Sequence, residues 1–90
     1  MNNPRRKEIN KLMNNIEELL SQLETLKDQV DEILEQEQEY LDNIPENLQT
    51  SERYEKAEEA VQNLEEAIDL IDDAMSSLDE AKDRLEDATA

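Results

Sequence analysis

The eight residues Asn43-Ile44-Pro45-Glu46-Asn47-Leu48-Gln49-Thr50 interrupt two long runs of heptad-spaced apolar residues, and their reading decides the fold. Pro45 lacks an N–H and disfavours a helical Ile44, so a helix arriving from the N-terminal side ends near Asp42 to Ile44. Upstream, the apolar spacing runs three-four-three-four without a slip. Ile9, Ile16, Leu23, Val30, Glu37 and Ile44 form an a column, and Leu12, Leu19, Leu26, Ile33 and Tyr40 form a d column. Downstream, Tyr54, Val61, Ile68, Met75 and Lys82 are a, and Ala57, Leu64, Ile71, Leu78 and Leu85 are d. Seven residues are nearly two helical turns, so each column keeps to one side of its helix, the pattern of a coiled-coil seam.

The spacing therefore predicts an all-α chain: a helix over 4–43, a turn over 44–50 and a helix over 51–88, forming one domain over 1–90. Asn3 is the expected cap of the first helix, with Pro4 at its first position, and Thr50 or Ser51 caps the second. Each helix is about 55 Å long at 1.5 Å per residue. Equal lengths and a short joint predict an antiparallel two-helix coiled-coil hairpin, with partners whose residue numbers sum to about 95 across the seam. A single helix bent at Pro45, making the same contacts between chains, is the alternative.

Composition narrows the function. The chain has no Gly, Cys, His, Trp or Phe, and 39% of its residues are charged. A disulfide framework is excluded, and no apolar run is long enough to span a membrane. The basic start, Arg5-Arg6-Lys7, is not followed by the apolar segment of a secretory signal, so a cytoplasmic location is expected. The net charge of −17 makes direct binding to nucleic acid or anionic lipid unfavourable and points to basic protein surfaces, or to copies of the chain, as partners.

The second helix writes two acids and then an alanine five times at intervals of seven, from Glu58-Glu59-Ala60 to Glu86-Asp87-Ala88. In an antiparallel pair the two e columns share one flank and the two g columns share the other. The first flank sets Met13, Leu20, Lys27, Leu34 and Leu41 against the second helix's acids. The other sets Asn15, Gln22, Gln29 and Gln36 against Ala60, Ala67, Ala74 and Ala81. That flank is almost uncharged, so two hairpins meeting there avoid most like-charge repulsion, and alanine lets helix axes approach closely. A homodimer forming a four-helix bundle is expected.

Catalysis finds no support. Without His or Cys, and with carboxylates on solvated ridges rather than in a cleft, neither a nucleophile nor a tuned acid/base pair is in view, and no enzyme activity is expected. The Glu-x-x-His of di-metal bundles and the glycine-bearing loop of EF-hands are both absent, so neither a metal site nor a cofactor is expected. Glu37 and Lys82 break the seams. Glu37 falls within reach of Arg53 or Lys56, and such residues serve either to set register or to meet solvent at a fraying end. The basic tip is expected to be neutralised by acids near the C-terminus, and Leu70 is expected to be exposed. From Asp28 to Glu80 there are 19 acids against two bases. Over roughly 40 Å of hairpin that is about one charge per 2.4 Å, against about one per 1.7 Å in duplex DNA. Such a rod competes for a basic nucleic-acid channel, or else carries a solvated coat. The residues expected to meet a partner are Glu58, Glu59, Glu65, Glu66, Asp72 and Asp73, with Asp31, Glu32, Glu35 and Glu39 on the first helix.

The turn and the start of the second helix, Asn43-Ile-Pro-Glu-Asn-Leu-Gln-Thr-Ser-Glu-Arg-Tyr-Glu-Lys-Ala-Glu-Glu-Ala-Val, continuing through Leu64-Glu-Glu-Ala-Ile, resemble a family of small uncharacterised proteins. These are carried by phages and mobile elements of Gram-positive bacteria. The resemblance covers about half the chain and brings no assigned activity or functional residues. It does imply a class: phage-borne acidic proteins include anti-restriction and anti-CRISPR inhibitors of host defence nucleases. By that analogy, the acidic rod blocks DNA or RNA access to a basic host protein. The alternative is a structural or adaptor coiled coil of a phage or mobile element.

Overall fold

The side chain of Asn2 starts the first helix by accepting a hydrogen bond from the Arg5 N–H at 2.9 Å. The computed structural model describes residues 1–90, and in it helix α1 runs Asn3–Asp42. The cap therefore lies one residue before the expected Asn3, which itself enters the first turn with Pro4. The helix stops where the proline requires: the Asn43 N–H still reaches the Glu39 carbonyl, and Pro45 is extended at φ −56°, ψ 144°. A single 3₁₀ turn, Glu46–Leu48, follows, closed by the Leu48 N–H on the Pro45 carbonyl at 2.8 Å. Ser51 then starts helix α2, Glu52–Ala88, accepting from the Tyr54 N–H while its own hydroxyl donates to the Leu48 carbonyl at 2.6 Å.

The two helices lie side by side as a hairpin, a rod of 69 × 15 × 14 Å. Its radius of gyration is 20.2 Å, against about 12 Å for a compact domain of this length. Two helices can enclose little, and only Ile44, Ala57, Val61 and Ile68 are buried. Polar contacts across the pair join Arg6 to Thr89, Glu17 to Lys82, Lys27 to Asp72 and Tyr40 to Arg53. Their residue numbers sum to between 93 and 99, close to the expected antiparallel register.

The face that α1 turns to α2 differs from the expected one. Its a residues are half-buried or buried, but so are all five of its e residues, Met13, Leu20, Lys27, Leu34 and Leu41. The d column is exposed: Leu12, Leu19, Leu26, Ile33 and Tyr40 keep between 39% and 53% of their surface. α2 behaves as expected, with its a and d columns turned inward. The reason is in the side chains. α1 has three neighbouring apolar columns, a wedge wider than one seam, and α2 can cover only two of them. Packing on a and e brings the Lys27 ammonium to Asp72 at 2.8 Å, while its methylene stem lies in the seam. A Lys27 held away from that flank would lose this partner.

Candidate protein-binding surfaces

The helix rotation sorts the surface into an acidic flank and an uncharged one. On the acidic flank, Glu65 of α2 shares a shallow groove with Leu34, Glu35, Glu39 and Asp42 of α1. Both cross-helix ion pairs lie on this flank. Lys27 meets Asp72, and Lys82, a polar residue in the α2 seam, meets Glu17 at 2.6 Å. Lys27 is held above the ordinary lysine value by its hydrogen bond to Asp72, opposed by desolvation and assisted by the charges of Asp72, Glu24 and Asp31. Lys82 is raised in the same sense by its hydrogen bond to Glu17, with desolvation opposing and the charges of Glu17, Asp79 and Glu86 assisting.

The ten acids expected to meet a partner do not form one flat patch. Glu58 and Glu65 are exposed on the flank, with Glu35 nearby and Asp31 half-buried beside them. Asp72 is half-buried and already paired with Lys27. Glu59, Glu66 and Asp73 are exposed one position further round α2, turned by 100° toward its outer side. Glu32 is exposed on the back of α1, and Glu39, exposed one heptad further on, reaches the edge of the groove. The carboxylates thus wrap the rod on three sides, and no three of them converge as metal ligands.

The basic tip departs from expectation. Arg6 donates to the Thr89 carbonyl at 3.2 Å and to the Asn3 side chain, and none of Arg5, Arg6, Lys7 and Lys11 forms an ion pair. The terminal carbonyls of α2 are nearer to Arg6 than any carboxylate. Glu37 also lacks its expected partner: Lys56 pairs with Glu52 within α2, and Arg53 turns to Tyr40.

That last contact locates the uncharged flank. Arg53 donates to the Tyr40 hydroxyl and lies 5.4 Å from its ring centroid, so the exposed d column of α1 runs beside the g column of α2. Next to Leu12, Leu19, Leu26, Ile33 and Tyr40 therefore lie Ala60 and Ala67, half-buried, and Ala74 and Ala81, exposed. The exposed amides of Gln22, Gln29 and Gln36 border the row on the α1 side. Leu70, 67% exposed, borders it on the α2 side, with Asn63 and Ser77 one turn-pair away in each direction. Of the 26 acids in the chain, none lies in these four columns between residues 12 and 40 of α1 or 53 and 88 of α2. The leucine row is the part of this surface that heptad reading misses, because it assigns those residues to the seam. The signal that finds it is the third apolar column, Met13, Leu20, Leu34 and Leu41.

No helix is long and apolar enough to cross a membrane. Comparisons with protein-family models, with curated proteins and with solved structures found no match to this chain.

Proposed function

We propose that the chain is a binding protein whose carboxylate-lined flank docks on the basic, nucleic-acid-binding surface of another protein and blocks access of DNA or RNA. The observation that carries this reading is the sorting of charge. Carboxylates crowd three sides of a narrow rod, over its turn-proximal part at about one net charge per 2.4 Å against about one per 1.7 Å in duplex DNA, and the fourth side has none between Leu12 and Tyr40. In the setting that the sequence resemblance suggests, the partner is a host defence nuclease such as a CRISPR effector, met in the cytoplasm of a bacterium that carries the phage or mobile element.

The direct test is charge reversal. Replacing Glu58, Glu59, Glu65 and Glu66 by Lys should abolish capture of a basic nuclease and its inhibition while preserving helical circular dichroism. Unchanged inhibition would sink the proposal. Capture from host lysate should also fall by orders of magnitude between about 50 and 200 mM salt, as contacts to a polyelectrolyte do.

A second reading, a structural or adaptor coiled coil, is favoured by one specific observation, the exposed leucine row on α1. It makes the opposite prediction: partner capture survives charge reversal and high salt, and is lost when Leu26 and Leu70 are replaced by polar residues.

A further inference from the structure

We propose that the uncharged flank is covered by a second copy of this chain, with the two hairpins antiparallel and the α1 leucine rows packed on one another. The inference is independent of what the acidic flank binds. It begins with an apolar surface that the hairpin leaves open. Five large apolar side chains at seven-residue spacing, Leu12, Leu19, Leu26, Ile33 and Tyr40, each keep 39% or more of their area in water. Scattered exposed leucines are ordinary, but a continuous row of five is not. From Leu12 to Tyr40 the row extends for about 42 Å at 1.5 Å per residue.

Area and charge name the occupant. On a rod 15 Å wide, the row and its alanine border offer about 600 Å² per copy, or about 1,200 Å² for a pair, enough for a specific interface. The hairpin also exposes 6806 Å², against about 5,400 Å² for a folded monomer of its mass. Covering the flank removes a little under half of that excess from each copy. A like-charged chain of −17 is an unfavourable partner on every side but this one, where no carboxylate intervenes. Alanine beside the leucines adds no bulk to that face and lets the second hairpin approach closely.

Charge also sets the orientation. The turn-proximal half, residues 23–72, holds 17 acids and three bases, a charge of −14, and the rest of the chain carries −3. Parallel pairing would lay −14 against −14. Antiparallel pairing lays each strongly acidic half beside the other copy's weakly charged half and its unpaired basic tip. In an isologous contact the row then reads against itself about Leu26, with Leu12 near the other copy's Tyr40 and Leu19 near its Ile33.

Sedimentation and cysteine pairing test this, and the native chain has no cysteine to interfere. The wild type should sediment as a dimer at micromolar concentration, with dimerisation undiminished as salt rises. Leu19→Glu with Leu26→Glu should weaken the dimer at least ~100-fold, while Glu59→Gln with Glu66→Gln should leave it intact. A monomeric wild type, which would leave the row to a different partner, overturns the proposal, as does a leucine variant that remains fully dimeric. For orientation, Leu12→Cys and Tyr40→Cys chains are mixed and oxidised gently. Antiparallel pairing predicts a disulfide between the two variants. Disulfides only between like chains would overturn the antiparallel arrangement. Loss of the dimer with nuclease capture retained, or the reverse, separates this interface from the acidic flank.

Discussion

Helices α1 and α2 carry heptad patterns of equal regularity, yet they use them differently. α2 buries Ala57, Val61 and Ile68, and α1 buries no residue at all. The cause is what borders each seam. In α2 the a and d columns lie between a column of acids and a column of alanines, so only one rotation keeps charge in water. In α1 the seam is bordered by Met13, Leu20, Leu34 and Leu41, and a rotation that exchanges d for e gives up one leucine, Leu26, for the stem of Lys27 and otherwise keeps apolar side chains against α2. Periodicity thus tells which residues are apolar, and the bordering columns tell which way the helix turns.

The largest expected effect separates the helices directly. Ile68→Asp places a carboxylate in the closed part of the contact and should cost about 3 kcal/mol or more, seen as loss of helical signal at room temperature. Leu26→Asp, at an equally regular heptad position, should leave the hairpin's own helix content nearly unchanged in dilute solution. Equal loss in both variants would break the comparison. A smaller effect contrasts the two helix starts. Ser51→Ala removes a cap that also ties α2 to the turn and should cost about 1 kcal/mol in thermal unfolding. Asn2→Ala, at the open end of the rod where no residue is buried, should cost less than that.

The smallest effect sharpens the electrostatic side of the contrast. Lys27 and Lys82 both have raised values in the folded chain. Their ion pairs therefore stabilise the fold fully below the ordinary lysine value of 10.5, and that contribution is lost as pH rises through the higher folded values. Thermal melts should shift down as pH passes above 10.5, and Lys27→Met should flatten that decline. A decline equally steep in the variant would mean that the Lys27–Asp72 pair adds nothing.

Much of this was legible in the residues alone. Pro45 located the joint, Ser51 was one of two expected caps, and the seven-residue spacing gave two long helices in a hairpin. The rotation of α1 was not legible from the a and d columns, because a three-column apolar wedge satisfies two packings equally until a partner helix selects one. In the packing observed, Lys27 spans the helices to Asp72 while its stem lies in the seam. The alanine column and its amide neighbours were readable as an uncharged flank. The leucines that complete that flank were not, having been counted as seam. At the basic tip, the Arg6 guanidinium goes to the Thr89 carbonyl at the end of α2 rather than to a carboxylate.

The placement of the few buried residues has a further consequence. Ile44, Ala57, Val61 and Ile68 all lie in the half of the rod nearest Pro45, and nothing beyond Ile68 is buried. Closing the short connection between the helix ends costs little chain entropy, and each later contact is then made between segments already aligned. The hairpin is thus built to zip shut from the turn outward. Its amides should be most slowly exchanged around Val61 and progressively faster toward Asn2 and Ala88. The open end, with its arginines and lysines, is the part of the rod that comes apart first.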